Sequence, residues 1–74
     1  MEIKEFIEKF AEQIEVENVE ALKPETEFKN LEEWSSLSVM LIIAFYDDEF
    51  DKQIGETAIN GCKTIEDLYK LAIA

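Results

Sequence analysis

Ser35-Ser36-Leu37-Ser38-Val39-Met40-Leu41-Ile42-Ile43-Ala44-Phe45-Tyr46-Asp47-Asp48-Glu49-Phe50-Asp51 is the stretch on which the fold turns. It contains no Pro or Gly, and its apolar residues recur three and four positions apart, which predicts a helix from Ser36 to Phe50 ending just before Asp51. Val39, Ile42, Ile43, Tyr46 and Phe50 form one stripe, assigned to the core. Leu37, Met40, Leu41 and Ala44 form a second, rotated away from the first. A helix with two apolar stripes has two readings: the central helix of a bundle that buries both, or a helix that shows the second stripe as a docking surface.

Both ends of this helix carry further information. Asp47, Asp48, Glu49 and Asp51 crowd its C-terminus, where the macrodipole is negative and each carboxylate destabilises by about 0.3–1 kcal/mol at low ionic strength. Helix chemistry favours lysine there, so the acids answer to solubility or to a partner's basic patch, and their cost tilts the balance toward the partner. At the other end, Trp34-Ser35-Ser36-Leu37 places serines before an apolar periodic run. That is the ordinary pattern of an N-cap. It is also where backbone N–H groups and the helix dipole favour a phosphate, so a phosphate-linked group on serine is permitted but not demanded.

Working outward, Ile3, Phe6, Ile7, Phe10 and Ile14 recur at helical spacing opposite Glu5, Glu8, Lys9 and Glu12, predicting an amphipathic helix of about three to four turns. A long connection containing Pro24 follows, with Val19, Leu22, Phe28 and Leu31 available to pin it; unstructured connections of this length are usually functional. Gly55 and Asn60-Gly61 leave room between them for one short helical turn. Thr64 caps a final helix, with Asp67 three residues on in a variant of the capping box, and Ile65, Leu68, Tyr69 and Ala72 form its buried face. No strand-like alternation appears. The expected fold class is all-α: a single domain over residues 1–74, a small four-helix bundle of three main helices and one short one.

Composition narrows the function. Seventy-four residues suffice for one core but not for an enclosed active site as well, so an enzyme with its own catalytic residues is not expected. Eighteen acidic residues against seven lysines and no arginine leave a net charge of −11, which repels nucleic-acid phosphates and anionic headgroups and attracts proteins bearing Lys and Arg patches. Histidine, the commonest general base and metal ligand, is absent. No stretch has the ligand spacing of a calcium loop, and no metal site is expected. Cys62 is the only cysteine, which excludes a disulfide framework and zinc-site spacing; with no base beside it to form a thiolate, it reads as core packing. The longest apolar run, Val39 to Tyr46, is too short to span a bilayer, and the charged opening Met1–Glu5 has no leader pattern. The expectation is a cytoplasmic monomer with no nucleic-acid partner and no membrane insertion.

From Phe28 to Leu68 the chain resembles the acyl carrier proteins, whose hallmark is Asp-Ser-Leu at the start of the second helix. The hallmark here is Ser35-Ser36-Leu37, followed at the family's spacing by an apolar helix, Asp47-Asp48-Glu49-Phe50-Asp51 and Ile54. Thr64-Ile65-Glu66-Asp67-Leu68 looks like the start of the family's last helix, and with the first helix the resemblance covers nearly the whole chain. It implies the family's four-helix acyl-carrier fold and a 4′-phosphopantetheine arm attached to Ser36 from coenzyme A by a phosphopantetheinyl transferase. The arm's thiol would carry acyl groups as thioesters in fatty acid or related acyl or polyketide biosynthesis. Acyl-transferring or condensing enzymes with basic patches would supply the catalysis, meeting the carrier at Leu37, Met40, Leu41, Ala44, Asp47 and Asp48. The chain departs from the family at Ser35, where aspartate is usual, and at Leu41, where many members place an acid. The second departure makes the contact surface more apolar and implies a specialised partner set. An aminoacyl or peptidyl carrier, and an unmodified acidic interaction module of the same fold, are the alternatives.

Overall fold

The first helix, α1, covers Ile3–Gln13 in a computed structural model that describes residues 1–74. Its buried face is Phe6, Ile7, Phe10 and Ala11, the i, i+3, i+4 pattern of an amphipathic helix. It stops short of the sequence stripe because Glu15 turns left-handed at φ 57° and the Val16 N–H reaches back to the Ala11 carbonyl at 2.9 Å. Ile14 therefore lies outside the helix yet stays buried.

The central helix, α2, runs over Ser36–Phe50, the bounds expected from its periodicity. It ends at Asp51, also left-handed at φ 51°, with the Lys52 N–H donating to the Tyr46 carbonyl. A five-residue helix, α3 (Glu56–Asn60), and the last helix, α4 (Ile65–Ile73), complete the bundle. The fold is thus all-α, with four helices around one core of sixteen buried apolar residues. None of these helices is long and apolar enough to cross a membrane.

The core of α2 sits differently from its predicted stripe. Phe45 is buried with Val39, Ile42 and Tyr46, whereas Ile43 and Phe50 are only half-buried. Neighbours decide the difference. Phe6 of α1 meets the rings of Phe45, Tyr46 and Phe50 alike, so α2 is rotated to bring Phe45 inward while Phe50, in its last turn, packs on the same cluster from the edge.

Residues between α1 and α2 form no free loop. Two short 3-10 turns, Val19–Ala21 and Phe28–Asn30, bury Leu22 and Phe28, while Val19 and Leu31 pack on the core from its edge. The carbonyls of Pro24 and Thr26 accept from the Glu66 and Ile65 N–H groups at 2.9 and 3.0 Å. The first amides of a helix have no partner within it, and here the connection supplies them. The remaining cap is local: Thr64 Oγ1 accepts from the Asp67 N–H at 3.2 Å, and Asp67 Oδ2 accepts from the N–H groups of Thr64 at 3.2 Å and Lys63 at 3.0 Å.

Two outcomes follow from these helix ends. Asp51→Gly relieves a left-handed non-glycine residue and removes a carboxylate at a negative dipole end, so a urea denaturation series should show a gain of about 1 kcal/mol; no gain would mean that Asp51 has an unseen stabilising contact. The backbone N–H groups of Lys63 and Thr64 hold the Asp67 carboxyl below its ordinary pKa. A carboxylate depressed in the folded state stabilises fully above its unfolded value of about 3.9 and loses that contribution as pH falls through the folded value. The melting temperature of wild type should therefore converge on that of Asp67→Asn as the pH is lowered below about 4; parallel curves would contradict the assignment.

Candidate functional site

Ser35, in extended conformation, is the N-cap of α2. Ser38 closes the cap from inside the first turn: its Oγ accepts from the Ser35 N–H at 3.0 Å and donates to the Glu33 carbonyl at 3.3 Å, and its own N–H donates to the Ser35 carbonyl at 3.0 Å. Ser38 is the one buried polar residue of the chain, and these bonds satisfy it. The sequence reading did not single it out; its spacing of three residues from Ser35, the capping-box interval, was the available signal.

Ser36 is consequently relieved of capping. It is the first residue of α2, exposed, and its hydroxyl takes part in none of the side-chain hydrogen bonds at this turn. Its N–H and that of Leu37 have no backbone partner and open to solvent at the positive end of the helix dipole.

The second apolar stripe of α2 is exposed, which excludes the reading in which the bundle buries both stripes. Leu37 is 61% exposed, Met40 67% and Leu41 37%. Ala44, Asp47 and Asp48 are exposed as well. With 3.6 residues per turn these positions fall on one face, so the six residues singled out from sequence form a continuous strip beginning beside Ser36.

Two shallow clefts flank Met40. One, of about 370 Å³, is lined by Ser36, Leu37, Val39, Met40, Ile43 and Glu56. The other, of about 440 Å³, is lined by Met40, Ile43, Ala44, Asp47, Gln53, Ile54 and Gly55. Gln53, Gly55 and Glu56 reach the site only because α3 folds back against α2, and no local pattern announces them. A third groove, of about 380 Å³ between α1 and the Val19–Pro24 stretch, shares no residue with this site.

Charge is distributed unevenly along the strip. Glu49 turns toward α1 and pairs with Lys9 at 3.2 Å, a bond that raises the Lys9 pKa. Asp47 and Asp48 belong to neither of the ion pairs of the fold and remain uncompensated. No three His, Cys, Asp or Glu side chains are arranged to hold a metal ion. Cys62 is buried, its Sγ 3.4 Å from the Ala58 carbonyl, and burial pushes its thiol pKa up, away from nucleophilic use.

No protein-family model, curated protein or solved structure matches the chain.

The division of labour among the three serines has a direct test. Ser38→Ala removes the acceptor of the Ser35 N–H and should destabilise by about 1–2 kcal/mol. Ser36→Ala should stay within about 0.5 kcal/mol of wild type. Chemical denaturation of both variants checks this, and a large loss for Ser36→Ala would return that residue to a structural role.

Proposed function

We propose that the chain is an acyl carrier protein, bearing a 4′-phosphopantetheine arm on Ser36. One observation carries the reading: the N-cap is made by Ser35 and Ser38, so the exposed Ser36 hydroxyl has no structural duty at the start of an acidic docking helix. The residues present suit the arm. Ser36 Oγ would form the phosphoester, the N–H groups of Ser36 and Leu37, which have no backbone partner, would be available to its phosphate oxygens, and Ser36 also lines the cleft formed with Val39, Met40 and Ile43. When bound, the arm supplies a terminal thiol that holds acyl groups as thioesters.

Attachment balances simply. Ser36 Oγ bonds to the pantetheine-bearing phosphorus of coenzyme A, the diphosphate P–O bond breaks, and adenosine 3′,5′-bisphosphate leaves. The hydroxyl proton must pass to a base on the transferase, since the chain has no histidine and no carboxylate hydrogen-bonded to Ser36. The same reasoning assigns later chemistry to partner enzymes: the carrier contributes a tethered thioester at high local concentration, and Asp47 and Asp48 draw basic patches toward it.

Incubation with coenzyme A and a broad-specificity phosphopantetheinyl transferase, followed by intact-mass measurement, tests the reading. Wild type and Ser35→Ala should each gain one phosphopantetheinyl group, and Ser36→Ala none. A gain retained by Ser36→Ala would overturn the site. No gain with several transferases would leave an unmodified acidic interaction module.

A further inference from the structure

We infer that the groove between α1 and residues 19–24 is a binding site for a monoanionic amphiphile, a medium-length aliphatic carboxylate. Its head lies between Lys4 and Lys23, and its tail on Ile3, Ile7, Val19 and Leu22. The groove shares no residue with the clefts beside Ser36 and Met40, so the site goes beyond the carrier reading and does not need the arm.

The groove is already formed in the folded chain. Its volume of about 380 Å³ falls inside the range of roughly 300–1,000 Å³ typical of small-molecule sites. The floor is apolar: Ile7 and Leu22 are buried, and Ile3 and Val19 pack on the core from its edge. Local bonds fix the wall opposite α1. The Lys23 N–H donates to Thr26 Oγ1 at 2.9 Å, the Thr26 N–H donates back to the Lys23 carbonyl at 3.0 Å, and the Leu22 N–H donates to the Val19 carbonyl at 3.0 Å. A site set before its ligand arrives loses little affinity to ordering. The placement of lysines is the sharper observation. Of the seven, Lys9 and Lys70 stand in ion pairs, and Lys29 and Lys52 donate to backbone carbonyls. Lys4, Lys23 and Lys63 have no acceptor for their ammonium groups, although eighteen acids are present, and two of these three stand on opposite sides of this one groove.

Unpaired cations above an apolar floor select the class of ligand. A carboxylate between two ammonium groups gains charge-assisted hydrogen bonds that nothing in the fold supplies to them. Its tail is held by apolar area removed from water, so affinity grows with chain length. Only one negative charge is tolerated, because Glu8 and Glu20 also line the groove and the chain as a whole carries −11. A phosphate monoester or a dicarboxylate would meet those acids with its second charge. A cationic amphiphile would set its charge against Lys4 and Lys23, and the acid-rich remainder of the surface suits it better.

Amide chemical shifts of the whole unmodified chain, followed at low ionic strength as octanoate is added below its micelle threshold, test the site. Octan-1-ol removes the charge, octylammonium reverses it, and butyrate shortens the tail. Octanoate should move the amides of residues 3–8 and 19–24 and leave those of residues 37–48 in place. It should bind at least about tenfold tighter than butyrate or octylammonium, and about fivefold tighter than octan-1-ol. Lys4→Gln with Lys23→Gln should bring octanoate down to the affinity of octan-1-ol while leaving octan-1-ol unchanged. Val19→Ser, its fold checked by circular dichroism, should weaken both. Shifts centred on α2, octylammonium binding as tightly as octanoate, no binding of octanoate, or an unchanged octanoate affinity in the double lysine variant overturns the inference. Failure of the carrier reading registers separately, in the mass assay.

Discussion

The contact on which the rest of the structure depends is the ring of Phe6, fully buried at the centre of an aromatic cluster. Its centroid lies between 5.5 and 6.5 Å from those of Phe10, Phe45, Tyr46, Phe50 and Tyr69, so one side chain of α1 touches rings on α2 and α4 together. Tilted and edge-on pairs of this kind add about 0.5–1.5 kcal/mol each beyond area burial. They also fix rotation. With Phe45 and Tyr46 turned onto Phe6, and the Tyr46 hydroxyl donating to the Leu68 carbonyl of α4, α2 has no freedom to hide its other apolar stripe. The exposed strip of Leu37, Met40 and Leu41 is the complement of that choice.

A second constraint places Ser36. Trp34 packs across Phe28 with ring centroids 4.7 Å apart and stacks on Phe10 at 6.3 Å, which ties the end of the connection to the core just before α2 begins. Further back, the Pro24 and Thr26 carbonyls hold the same connection to the first turn of α4. The long segment between α1 and α2 thus works as a clamp that sets where the helix starts, and it leaves the capping to Ser35 and Ser38.

The far end of α2 is not arranged for helix stability. Asp47, Asp48, Glu49 and Asp51 all sit where the dipole is unfavourable, and Asp51 adds a left-handed backbone. Only Glu49 is compensated, by Lys9. A helix optimised for folding alone would reverse these charges.

Local pattern in the sequence determined the helices, because periodicity and capping need only neighbours three or four residues apart. The bounds of α2, the Thr64–Asp67 cap, the burial of Phe6 and Phe10, and the grouping of Leu37, Met40, Leu41 and Ala44 on one stripe were all legible that way, though whether that stripe is buried was not. Tertiary structure decided what no local pattern contains. Which stripe of α2 faces inward depends on Phe6 of another helix, so Phe45 joins the core while Ile43 and Phe50 pack against it from the edge. How the start of α2 is held to the rest of the fold depended on Trp34, which packs on Phe10 and Phe28. The clefts beside Met40 needed α3 to fold back on α2. Each of these is set by side chains far apart in the chain, whose mutual fit exists only once the bundle has closed.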